Sequence, residues 1–201
     1  MQLFMKSAVI FSVFMLAACF AGTVRASQEP PDAEAAAYWR DKPVPENAEV
    51  TYGTEANGKR YRLLTMPGVT VTQYEGGGSL AVDTDGNGGV MCVWEILSIV
   101  KTYLDACEKY SPPYLDEAMK RVEDFIVENS DTVISEKITK TMLEKKLLQK
   151  KMDALEQENF CETSGAEVLA RGMVQTPEDK MRGEIDKLLF VPRIPVMNPC
   201  L

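Results

Sequence analysis

Histidine is absent from all 201 residues. That removes the commonest general base, the commonest zinc ligand and every Ser-His or Cys-His catalytic pair. Basic residues are outnumbered as well, 22 Lys and Arg against 30 Asp and Glu, for a formal net charge of −8. An acidic chain of this kind repels phosphate backbones, so nucleic acid is not an expected partner. No internal repeat is present. Long apolar runs are missing too, except for one at the very start.

That run decides the expected compartment. Residues 1–26, MQLFMKSAVIFSVFMLAACFAGTVRA, carry Lys6 and then an almost unbroken apolar stretch from Ala8 to Val24. A basic residue ahead of a short apolar core is the pattern of an export signal. Two processing routes stay open. Val24-Arg25-Ala26 suits cleavage before Ser27, which releases a soluble periplasmic or secreted protein. Leu16-Ala17-Ala18-Cys19 resembles a bacterial lipobox, in which case the signal is residues 1–18 and Cys19 is lipidated. Membrane attachment is expected only by that second route, since Gly22, Thr23 and Arg25 interrupt the run at the short limit for a span. Removing residues 1–26 takes Lys6 and Arg25 and no acid, so 20 basic and 30 acidic residues remain, a net charge of −10.

Beyond the signal the cysteines are Cys92, Cys107, Cys161 and Cys200. An even number in an exported chain favours two disulfides. Residues 27–48 are rich in Pro, Ala and acid and read as a flexible leader, with Tyr38-Trp39 an unexpected aromatic pair inside it. Residues 49–201 read as one α+β domain. Short β-prone runs at Val50–Tyr52, Arg60–Leu64, Val69–Tyr74 and Leu80–Asp83 are separated by Gly53, Asn57-Gly58, Pro67-Gly68 and Gly76-Gly77-Gly78. This predicts a small antiparallel sheet over about 49–84. Val69 and Val71 belong to one face, Thr70 and Thr72 to the other.

From Val90 the apolar period becomes helical, predicting a disulfide-bridged four-helix region over about 90–190. The first helix, about 90–110, is apolar around most of its circumference, with a polar stripe at Glu95, Ser98, Thr102 and Asp105. Such a helix is central to its domain. The second begins at Ser111-Pro112 and buries Leu115, Ala118, Met119, Val122, Phe125 and Ile126. The third, about 132–159, carries Ile134, Ile138, Met142, Leu147, Met152 and Leu155 roughly along one side. Its lysines, Lys137, Lys140, Lys145, Lys146, Lys150 and Lys151, make it locally basic, either as a solvated face or as a surface for an acidic partner or anionic headgroups. A short turn at Ala166–Arg171 ends at Gly172. The last helix starts at Thr176-Pro177 and buries Met181, Ile185 and Leu188.

Cys92 and Cys107 lie at opposite ends of the first helix, about 22 Å apart at the helical rise. They cannot bridge each other, because bonded pairs need Cα atoms about 4.4–6.8 Å apart. With helices alternating up and down, Cys107 shares an end with Cys161. Cys92 shares the other end with the tail and Cys200. The expected pairs are therefore Cys107–Cys161 and Cys92–Cys200.

The best candidate for chemistry is Asp83-Thr84-Asp85-Gly86-Asn87-Gly88. Oxygen side chains at alternate positions followed by glycine converge on a calcium ion, and Glu95 lies shortly after. These six residues resemble the start of an EF-hand loop, with Val90 in the hydrophobic eighth place. The resemblance implies calcium held by Asp83, Asp85, Asn87 and Glu95. It departs at position twelve, where Trp94 stands and Glu95 comes one residue late. The same residues also suit a plain turn and helix start. Ser98-Ile99-Val100-Lys101 matches a Ser-x-x-Lys pattern but has no Lys-Thr-Gly partner, and Ser98 reads as part of the polar stripe.

Taken together, the sequence predicts an exported, non-catalytic binding or accessory protein of the cell envelope. It would act on an envelope or extracellular protein, with an inhibitor or immunity-type role in that class, and no cofactor is expected unless the loop holds calcium. The alternatives are a calcium-stabilised structural module built on Asp83–Gly88, and a hydrolase using carboxylates of Asp83, Asp85 and Glu95.

Overall fold

The computed structural model describes residues 33–134 and 136–200. The export segment, Cys19 and residues 27–32 of the leader lie outside the described residues. The elements run α1 (Ala33–Trp39), β1 (Glu49–Thr54), β2 (Arg60–Met66), β3 (Val69–Tyr74), β4 (Ser79–Asp83), α2 (Val90–Ala106), α3 (Pro113–Asn129), α4 (Lys140–Glu156), α5 (Phe160–Thr163), α6 (Ala166–Gln175) and α7 (Glu178–Leu188). The fold is α+β: a four-stranded antiparallel sheet followed by helices, with two disulfides.

The strands pair in chain order, β1-β2-β3-β4. Met66 faces Val69 across a two-residue turn of Pro67 and Gly68. Proline fixes φ at the first turn position, and Gly68 takes φ +70°, a value most residues avoid. Alternation sets the two faces. Leu64, Met66, Val69 and Val71 are buried, and Val196 from the C-terminal tail joins them.

Helix α2 is the centre of the helical layer and packs against α3, α4 and α6. Trp94 is sealed within it, its indole N–H donating to Glu123 at 3.3 Å. The expected buried faces of α3 and α7 are the observed ones. Both helices begin one residue later than the sequence suggested, with Pro112 and Pro177 at the caps. Helix α2 ends at Ala106, earlier than expected, because Glu108 takes a left-handed conformation (φ 51°).

Three other expectations need correction. The stretch read as a leader contains α1, whose Ala35 and Trp39 are buried against the sheet. Gly172 does not stop the sixth helix, which continues to Gln175. The third predicted helix starts at Lys140 rather than 132. The Asp131 side chain accepts the Val133 N–H at 2.6 Å, and Ser130 Oγ accepts the Ile138 N–H at 3.2 Å. Side chains that capture nearby backbone donors hold the chain out of helix. Thr139 then caps α4, accepting from the Met142 N–H. As a result Ile134 packs with the sheet cluster and Ile138 with the helical one.

Cys107 bonds Cys161, with Cα atoms 5.7 Å apart, and Cys92 bonds Cys200 at 5.2 Å. These are the pairs that the helix arithmetic singled out. The second bridge lays the tail across the start of α2. Gly89 N–H donates to Pro199 O at 2.9 Å and Met91 N–H to Val196 O at 3.0 Å. A Cβ on Gly89 would stand 2.6 Å from the Val196 and Met197 carbonyl oxygens, so only glycine admits the tail this closely. Among the described residues no helix is long and apolar enough to cross a membrane. Two closed disulfides fit a non-reducing environment.

Candidate functional site

The Asp83–Gly88 loop sits between β4 and α2, where the sequence placed it. Asp83 Oδ1 accepts the Asp85 N–H at 2.9 Å, and Asn87 donates to Asp85 Oδ2 at 2.8 Å. The cation facing these carboxylates is a guanidinium. Arg193 Nε donates to Asp83 Oδ2 at 2.5 Å, and both side chains are 0 % exposed. Its Nη1 lies 3.8 Å from Asp85 Oδ2 and donates to the Leu188 and Val191 carbonyls. Gly68 is part of this arrangement, since a Cβ there would meet Arg193 Cδ at 2.7 Å.

Glu95, the fourth expected ligand, does not join the loop. It takes Lys146 at 2.5 Å and Lys150 on its other oxygen, both from α4. Burial pushes the Glu95 carboxyl up, but bonds from the two ammonium groups outweigh this and hold it below the usual carboxylate range. Among the described residues no group of three or more Cys, Asp or Glu is placed to hold a metal ion. Asp83 and Asp85 face Arg193, and Asn87 bonds Asp85, in a latch that joins sheet, core helix and tail. The missed residue is Arg193. A lone arginine in a proline-rich tail gives no local signal.

Within the polar stripe of α2, Ser98 and Thr102 are buried and Glu95 is half-buried, while Asp105 stays exposed. Ser98 is sealed, its hydroxyl donating to the Glu95 carbonyl at 2.7 Å. Thr102 lies beside a cavity of about 320 Å³ formed by α2, α4, α5 and the start of α6, with Ile99, Ala154 and Phe160 in its wall. The hydroxyls of Thr102 and Ser164 are buried there without hydrogen-bond partners among the described residues.

Helix α4 presents two apolar faces. Leu143 and Ala154 are buried against the domain, and Leu147 packs partly there. Met152 and Leu155, expected on that side, are 47 % and 64 % exposed, and Leu148 is 59 % exposed. Leu148, Met152 and Leu155 are spaced i, i+4, i+7, which aligns them along one side of a helix. The face turned away from α2 is therefore an apolar seam, with Lys145 and Glu144 exposed beside it, while Lys151 is half-buried and reaches within 3.9 Å of Asp105 on α2.

No protein-family model matches the chain, and neither a curated protein nor a solved structure matches it.

Proposed function

We propose that this chain is an exported, non-catalytic binding protein that acts by contact with another protein of the cell envelope or extracellular space. The observation that carries the proposal is the outer seam of α4. A surface helix normally buries its one apolar stripe and leaves charged residues outside. This one buries Leu143 and Ala154 and offers a second stripe, Leu148, Met152 and Leu155, at the spacing with which helices dock into grooves. Lys145, exposed beside the seam, favours an acidic group on the rim of the groove that receives it. Export is supported by the signal-like residues 1–26 and by the two disulfides.

Crosslinking and pull-down from the native envelope fraction, with wild type beside a Leu148→Glu/Leu155→Glu variant, tests the reading. The expected result is a defined protein retained by wild type, lost with the variant, and weakened by salt. Equal capture by both proteins sinks the proposal. So does sedimentation in which the seam only joins two copies of this chain.

A further inference from the structure

Among the described residues two guanidinium groups are buried, and they are treated differently. Arg193 has Asp83. Arg62, on the inward face of β2 with Leu64 and Met66, is 2 % exposed and meets only neutral acceptors. Its Nε donates to Gln73 Oε1 at 2.8 Å, its Nη2 to the Pro43 carbonyl at 2.9 Å and its Nη1 to the Lys42 carbonyl at 3.4 Å. Among the described residues Arg62 has no carboxylate partner. A guanidinium carries five N–H groups and stays protonated in proteins. One N–H on each terminal nitrogen of Arg62 is therefore left over.

A second donor stands beside it. Trp39 of α1 packs its ring 4.7 Å from the Arg62 guanidinium carbon. The residue is 7 % exposed, and its Nε1–H is buried without an acceptor among the described residues. Both side chains line an open cavity of about 370 Å³ between α1 and the sheet. Tyr38 and Tyr74 supply aromatic wall, and Lys42 lies at the exposed rim. Burying a cation without a counter-charge is costly, and an unmet buried N–H adds to the cost. An oxyanion in the cavity relieves both at once. Two oxygens in one plane match the guanidinium fork, and the bond is charge-assisted. One sealed positive charge suits a monoanion, and the tyrosine rings suit an apolar or ring-shaped body.

We propose that this cavity binds a small organic carboxylate, with Arg62 and the Trp39 indole N–H gripping the carboxyl group and Tyr38 and Tyr74 flanking its body. The site is separate from the α4 seam and does not rest on it. It also gives a reason for α1, which otherwise covers a charged patch of sheet with one tryptophan.

The test uses the ¹⁵N-labelled protein and benzoate as the probe, with benzamide as the neutral isostere and inorganic phosphate as the alternative oxyanion. The chain has two tryptophans, hence two indole N–H signals. That of Trp39 is assigned by its loss in Trp39→Phe. Benzoate is expected to move the Trp39 indole signal in a saturable way, and benzamide at equal concentration to leave it in place. Arg62→Lys keeps the charge and removes the fork, and is expected to weaken benzoate about tenfold or more. Should that variant fail to fold, the benzoate–benzamide contrast in wild type decides alone. The proposal is overturned by an unmoved Trp39 signal at tens of millimolar benzoate, by an equal response to benzamide, by undiminished binding in folded Arg62→Lys, or by phosphate saturating the site where benzoate does not.

Discussion

Arg193 and Asp83, 110 residues apart in the chain, meet at 2.5 Å with no solvent reaching either side chain. Arg193 also donates to the Leu188 carbonyl at the end of α7 and lies within 3.4 Å of Gly88 O ahead of α2. One guanidinium thus ties the last strand, the core helix and the last helix. Removing one partner of such a pair strands a buried charge, which costs about 3–5 kcal/mol. Asp83→Asn and Arg193→Met are each expected to lower unfolding free energy by about that amount in urea titrations. The double variant is expected to lose much less than the sum. Additive losses would mean that the two groups act separately.

The same latch bears on calcium. A cation entering the loop has to displace or face the Arg193 guanidinium, and Glu95 is held elsewhere by two lysines. Millimolar calcium is therefore expected to leave the thermal midpoint of the protein unchanged. Binding to the native state alone would raise it. A calcium-dependent rise that disappears in Asp85→Asn would establish the loop as a cation site.

The Cys92–Cys200 bridge fastens a tail whose Asn198 and Pro199 carbonyls already accept from the Asp83 and Gly89 backbone N–H groups. Cys92→Ser/Cys200→Ser is expected to cost about 2–4 kcal/mol and to open the chain after Met197 to limited proteolysis. Cys107→Ser/Cys161→Ser is expected to cost a similar amount while leaving the tail protected. Mass mapping of the clipped ends separates the two outcomes. Cleavage of the tail in the second variant as well would mean that the bridges do not act locally.

The sheet was legible because strand alternation and turn glycines are local signals, as at Val69, Val71 and Pro67-Gly68. The faces of α3 and α7 were legible for the same reason, and the cysteines because a helix is a ruler. Helix α4 was not. Met142, Met152 and Leu155 recur at helical spacing as convincingly as Leu143, Leu147 and Ala154 do. The choice between these faces is tertiary, fixed where Lys146 and Lys150 reach across to Glu95. Arg62 and Arg193 were invisible for a related reason. A basic residue in a strand or a tail reads as surface until its distant acceptors are known.

The two faces of α4 should separate in stability measurements. Leu143→Ala removes buried surface and is expected to cost about 2–5 kcal/mol. Leu148→Asp and Leu155→Asp lie on the exposed seam and are expected to stay within about 0.5 kcal/mol of wild type. Urea denaturation at constant m-value reads both. A loss above about 2 kcal/mol for either aspartate variant would place the outer seam in the core of this chain and leave nothing free for a partner.

Glu95 gives the fold a defined acid limb. Its carboxyl is held below the usual range, so the stabilisation is complete above the unfolded-state value, about 4.3. It is lost as pH falls through the lower folded-state value, because the unfolded chain then binds the proton first. Lys146 is half exposed, which screens part of the attraction. The expected cost of Glu95→Gln at neutral pH is therefore modest, about 1 kcal/mol. The variant should converge on wild type as the pH drops below about 4, and added salt should narrow the gap at neutral pH. Thermal melts from pH 3 to 7 test this directly. A wild-type–variant difference that stays constant across that range would show that the carboxylate acts through packing alone, and that the clamp between α2 and α4 is not electrostatic.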